Sequence, residues 1–223
     1  MGEFTGEIFN WFNKPATQIH PSSIDHLPVM RGIMKAVATQ NSCVFSGPNG
    51  DLRFFCFNGT RDNFDVEFFT SFFPIPISEI RELLVGKRPN THPGPWKQTA
   101  ARVYGAFRML TKVEDLMIVS CEMAPFFMTL GTTVDGTAPL PGLRKLTIYV
   151  GCGNLDISAL IQCARARLEC SRPLKEVTII FEDEPGADVI QEVQSLREFV
   201  GELNYRVDTT PELNWEGESD GSW

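Results

Sequence analysis

The feature that most limits what this chain can fold into is a hexad, L-x-x-L-x-I, that returns at near-regular intervals. Leu143-Arg-Lys-Leu146-Thr-Ile148 is its cleanest copy, and Val113-Glu-Asp-Leu116-Met-Ile118, Leu174-Lys-Glu-Val177-Thr-Ile179 and Val200-Gly-Glu-Leu203-Asn-Tyr205 repeat it. Ile80-Arg-Glu-Leu83-Leu-Val85 anticipates it upstream, so the first positions fall at 80, 113, 143, 174 and 200, with differences of 33, 30, 31 and 26. Asn49-Gly-Asp-Leu52-Arg-Phe54 fits 31 residues before the first of these, with a poor first position. Three apolar sites in six occur in any strand. Five copies at a shared period are hard to obtain by accident, and they predict one supersecondary unit stacked on itself.

The hexad is the strand signature of a leucine-rich repeat, and between copies the apolar period changes from 2 to 3.6, as a strand-then-helix unit demands. Thr99 caps a predicted helix with Ala100, Val103, Phe107 and Leu110 on one face, and Asp156 caps another with Ile157, Leu160, Ile161, Ala164 and Leu168 inward. Asp188 begins a third, with Val189, Val193, Leu196 and Val200 inward. Residues 123–142 carry Pro125, Gly131, Gly136, Pro139, Pro141 and Gly142, so they predict at most one helical turn. Gly47-Pro-Asn-Gly50 joins two apolar runs as a hairpin. Before it, Phe4, Ile8, Phe9 and Phe12 form a short helical stripe, and Ile24, Leu27, Met30, Ile33, Met34 and Val37 a longer one. The fold class that follows is α/β: a leucine-rich-repeat-like, right-handed βα solenoid with a curved, mainly parallel sheet and an N-terminal helical and hairpin cap. Residues 1–223 form one domain on this reading, with the cap in 1–48, five to six units in 49–207 and an acidic tail in 208–223.

Composition matters mainly for what it excludes. A hydrophobic fraction of 43% beside 22% charged residues is that of a globular chain and not a disordered one. No apolar run approaches the roughly 20 residues of a bilayer span, and the first residues lack the basic and apolar regions of a signal peptide, so the expected location is intracellular, cytoplasmic or nuclear. The six cysteines are dispersed without a C-x-x-C pair and read as reduced, mostly buried thiols. On the same reasoning Asn58-Gly-Thr60 is a glycosylation sequon that goes unused. A formal net charge of −8 argues against nucleic acid and anionic membranes as partners, since both require a positive face. Part of that charge sits in Asp208, Glu212, Glu216, Glu218 and Asp220, a solvated end or a docking strip for a basic partner.

No catalytic set is recognisable, and neither a metal site nor a cofactor is expected. The three histidines, His20, His26 and His92, read as surface or capping residues. Gly151-Cys-Gly153 lies between a strand and a helix but lacks the third glycine of a nucleotide loop. Glu182-Asp-Glu184 reads as a solvated turn before Pro185-Gly186, with cation binding the competing reading.

Because the hexad's fixed residues alternate into the core, the residues between them face the other side of the sheet. That face supplies the candidate partner-binding residues Leu84, Met117, Val119, Lys145, Tyr149, Glu176, Ile180 and Arg206. Among them Met117, Val119, Tyr149 and Ile180 predict an exposed apolar strip suited to gripping another protein, unless a terminal segment folds over it. A second candidate is the proline-rich loop Gly86-Lys-Arg-Pro-Asn-Thr-His-Pro-Gly-Pro-Trp96, where Lys87, Arg88 and Trp96 form a binding lip or Trp96 packs the loop onto the body.

Residues 111–207 resemble the leucine-rich-repeat region of fungal, especially basidiomycete, F-box-type proteins. The likeness is carried by Val113-Glu-Asp-Leu-Met-Ile-Val-Ser-Cys-Glu122, Leu143-Arg-Lys-Leu-Thr-Ile-Tyr-Val-Gly-Cys-Gly153 and Pro173-Leu-Lys-Glu-Val-Thr-Ile-Ile-Phe181. The resemblance implies a non-enzymatic protein-protein interaction module, like the repeats that hold the substrate of a ubiquitin ligase. In that family an F-box docks on a Skp-type adaptor. Leu27-Pro28-Val-Met lacks the acidic residue and the downstream Val-Cys-x-x-Trp of such a box, so adaptor binding is implied only if an F-box lies outside this chain. The alternatives are a self-associating structural protein and an enzyme with an atypical site at the 86–96 loop or the 151–153 turn.

Overall fold

The structure is a computed structural model that describes residues 31–39, 42–55, 77–86, 100–119, 123–134, 138–151 and 155–208. Each hexad upstream of a strand turns the chain through its first apolar residue and then extends. The strands that result are Glu82–Gly86 (β4), Asp115–Val119 (β5), Lys145–Val150 (β6), Glu176–Phe181 (β7) and Glu202–Val207 (β8). Before them come Lys35–Thr39 (β1), Ser42–Gly47 (β2) and Gly50–Phe55 (β3). Among the described residues these make one open sheet of eight strands in the order β3-β2-β1-β4-β5-β6-β7-β8. β1 and β4 to β8 run parallel, and β2 and β3 add an antiparallel hairpin at one edge.

The parallel series is in strict register. Ala36, Leu83, Leu116, Leu146, Val177 and Leu203 form one row across six strands, and Ala38, Val85, Ile118, Ile148, Ile179 and Tyr205 the next. The backbone before each strand repeats as closely. The carbonyl of Met34 accepts from the amides of both Arg81 and Glu82, and Arg81, Glu114 and Arg144 each accept the same pair of bonds from the next unit, at 2.7–3.1 Å. This makes Ile33-x-x-Ala36-x-Ala38 the first member of the parallel series. The helical stripe expected through Val37 is corrected at its end: Val37 lies in β1, where Ala36 and Ala38 alternate inward while Val37 faces the other side, and the part before residue 31 lies outside the described residues. The hexad at Asn49 is not a parallel unit: Asn49 lies in the hairpin turn and the other five residues in β3, paired antiparallel to β2 at the sheet edge. The hairpin turn is Pro48-Asn49, and Asn49 Nδ2 donates to the Arg31 carbonyl at 3.0 Å, tying the turn to the chain entering β1. Glycine is required at Gly47, where a Cβ would meet the Gly32 carbonyl at 2.6 Å.

Among the described residues four helices connect the parallel strands: Ala100–Met109 (α1), Ala124–Gly131 (α2), Ile157–Glu169 (α3) and Ala187–Gln194 (α4), the last followed by a 3-10 turn, Ser195–Glu198. All four contribute to one core on one side of the sheet, where Val103, Phe107, Phe126, Phe127, Leu160 and Val193 meet the hexad rows. α2 overturns the expectation of a single turn in 123–142. Pro125 lies in its first turn, where a missing N–H costs least, and Phe126, Phe127 and Leu130 are all buried. Asp156 does cap α3, accepting from the Ala159 amide at 2.9 Å. α4 starts one residue before Asp188, with Gly186 at the cap.

α3 keeps the expected inward face at Ile157, Leu160 and Ala164, with Ile161 packed at its edge, and departs from it in its last turn. Leu168, predicted inward, is 44% exposed, and Arg167 is 1% exposed. Its guanidinium donates to the carbonyls of Pro139, Leu140 and Leu143 at 3.1, 3.2 and 3.4 Å. Those carbonyls belong to the turn before β6, where Leu140 takes a left-handed φ of 48°. Unmet, they would cost more than the leucine gains by burial. Burial pulls the Arg167 pKa down, opposed by the neighbouring Cys163, whose own thiol is buried, free and pushed up to about 12.

Candidate interaction surface

The outward residues of the parallel strands form three rows on the face away from the helices. The row nearest the strand starts is charged: Lys35, Glu82, Asp115, Lys145, Glu176 and Glu202. Lys145 pairs with Glu176 at 2.9 Å, and Thr178 Oγ1 donates to the same carboxylate at 3.1 Å. The Lys145 hydrogen bond, aided by Thr178, holds Glu176 below the usual carboxylate range. Asp115 is pushed up, first by partial burial and then by Glu82, Glu114 and Glu176, against the pull of Lys145.

The middle row passes from Val37, Leu84 and Met117 to Thr147, Thr178 and Asn204, so it is apolar over β1, β4 and β5 and polar over β6 to β8. The third row holds Val119, Tyr149, Ile180 and Arg206. Here the expected exposed strip is corrected. Val119, Tyr149 and Ile180 are no more than 4% exposed, and with Val37 and Leu84 they form a second buried cluster against which Val44 and Met117 pack. Nonpolar side chains gathered on adjacent strands gain by leaving water, and these five have done so.

Leu84, buried like Val119, Tyr149 and Ile180, is not available to a partner, and Met117 is half-buried. Of the remaining predicted binding residues, Lys145, Glu176 and Arg206 keep accessible surface. They line a half-open depression of about 440 Å³ with Thr147, Thr178 and Asn204 over the Ile180 side chain. Those three polar residues were not singled out as binding residues, although they occupy the same register position as Met117. Lys87, Arg88 and Trp96 lie outside the described residues. Among the described residues no group of three or more His, Cys, Asp or Glu could hold a metal ion, and no helix is long and apolar enough to cross a membrane.

No protein-family model, no curated protein and no solved structure matches this chain. Its geometry must carry the functional argument. That geometry offers a rigid sheet surface with a charged rim, a polar hollow and a buried apolar floor at one side.

Proposed function

We propose that this chain is a protein-binding module made of leucine-rich-repeat-like βα units, of the kind that holds the substrate in F-box-type ubiquitin-ligase receptors. The observation that carries the reading is the hollow across β6, β7 and β8, where side chains from three registered strands converge on one accessible patch. Rigid strands present Lys145, Thr147, Glu176, Thr178 and Asn204 at fixed spacing, which suits recognition of a polar peptide or protein surface. The sequence resemblance over residues 111–207 supports the same class. Docking to a Skp-type adaptor is assigned to no residue of this chain.

The test is site-specific photo-crosslinking in cells, with the reactive residue placed at Thr147 or Thr178 and, as a control on the helical side, at Glu192. The expected result is a discrete protein adduct from the two sheet positions, lost when Lys145→Glu is added. Equal adducts from Glu192, or none from Thr147 and Thr178, overturn the assignment.

A further inference from the structure

The last strand is built from core residues that are not in a core. In β6 and β7 the side chains facing the helices, Leu146, Ile148, Val150, Val177, Ile179 and Phe181, are at most 7% exposed. In β8 the equivalent Tyr205 is 38% and Val207 40% exposed, and Leu203 is half-buried. Among the described residues β8 pairs only with β7, and no other described strand lies on its second edge. Glu202-Leu-Asn-Tyr-Arg-Val207 holds no proline or lysine to block edge pairing, and its two charges, Glu202 and Arg206, are of opposite sign.

The same six residues are complementary to themselves. Asn204 lies at the centre, with Leu203 and Tyr205 one step away and Glu202 and Arg206 two steps away. We propose that two copies of this chain associate through β8, antiparallel about a two-fold axis at Asn204, to make one continuous sheet. In that register Glu202 of each copy faces Arg206 of the other, and Leu203 faces Tyr205. The backbone agrees. The amides of Glu202 and Asp208 donate into the preceding unit, to Lys175 and Phe181, so the alternating residues Leu203, Tyr205 and Val207 turn their N–H and C=O groups outward. Leu203 and Tyr205 then form the hydrogen-bonded pairs, and Glu202 and Arg206 the closer non-hydrogen-bonded ones.

Competing registers are worse. Centring on Tyr205 sets Glu202 against Asp208, two like charges, and centring on Leu203 loses both charge pairs. A shift by one residue would put the two helical layers on opposite sides of the sheet. Little holds Arg206 in place beforehand, since its carboxylate partner in the chain, Asp208, is 3.9 Å away and the Arg206 side chain is 64% exposed.

A contact of one strand pair belongs to the small, weak class, so sedimentation velocity on the full chain should show the 25.0-kDa species at about 1 µM and a dimer by about 100 µM. Glu202→Arg and Arg206→Glu should each weaken the dimer by about tenfold or more, because each sets like charges together. An equimolar mixture of the two variants should associate again, as should the chain carrying both changes. Both sites are accessible, so the thermal midpoints should stay within about 2 °C of the parent. A monomer at every concentration overturns the proposal; this is the result if residues 209–223 or another protein's strand occupy the edge. A dimer indifferent to the single changes, or a mixture that fails to associate, overturns it as well.

Discussion

The two faces of the sheet are filled by different routes. On the helical face the buried hexad residues share one core with side chains of the connecting helices: Phe107 from α1, Phe126 from α2, Leu160 from α3, Val193 from α4. On the opposite face Val37, Leu84, Val119, Tyr149 and Ile180 are buried too, but none of the described helices contributes to their cluster. Further along that face Thr147, Thr178 and Asn204 stay accessible. The first face is dictated by the repeat. The second varies from strand to strand because the repeat needs nothing there, and that freedom lets one end become apolar and the other polar.

The largest effects belong to the two cores. Leu146→Ala, at 0% exposure in the helical core, should lower unfolding stability by about 3 kcal/mol in urea titration. Ile180→Ala on the other face should cost about 2 kcal/mol; a loss under about 0.5 kcal/mol would mean that the second cluster is not a core. Arg167→Lys should cost about 1.5 kcal/mol, because one ammonium cannot reach the carbonyls of Pro139, Leu140 and Leu143 together.

The smallest effects belong to the charged row. Glu176 has a depressed folded pKa, so its contribution is present at neutral pH and is lost as pH falls through that value. Glu176→Gln should therefore flatten the acid limb of the thermal midpoint. Asp115 has the opposite sign: its raised pKa means the folded state resists the charge, and stability from this group grows as pH falls. Asp115→Asn should raise the midpoint at pH 7 by about 1 °C. If both substitutions move the acid limb the same way, the electrostatic account of this row is wrong.

What could be read from the sequence divides along the same line. Leu83, Leu116, Leu146 and Val177 announced their strands because branched and leucyl side chains at fixed spacing have one buried solution. Ile33-x-x-Ala36-x-Ala38 obeyed the same pattern but was hidden, since alanine is small and Met30, Ile33 and Val37 also fit a helical stripe. α2 was obscured by the many prolines and glycines of 123–142, of which only Pro125 falls near its start. Arg167 was missed because apolar spacing favoured Leu168, while the need it meets, three carbonyls more than 20 residues upstream, has no local signal. The burial of Tyr149 and Ile180 depends on which part of the chain comes to lie against that face, and a strand's own alternation says nothing of that.

The shared carbonyls of Met34, Arg81, Glu114 and Arg144 carry one more implication, for how such a chain changes over generations. The shared bonds of each junction are made by main-chain atoms, and the four side chains at this site are a thioether, a guanidinium, a carboxylate and another guanidinium. The one ion pair among them, Arg81 with Glu114 at 3.7 Å, is solvent-exposed. Substitution there is nearly free. The junctions also act as identical couplings, so length can change by whole units: with residues 114–143 removed, the amides of Arg144 and Lys145 would meet the Arg81 carbonyl just as Glu114 and Asp115 do now. A gene for this chain can gain or lose a unit of about thirty codons and keep every remaining joint.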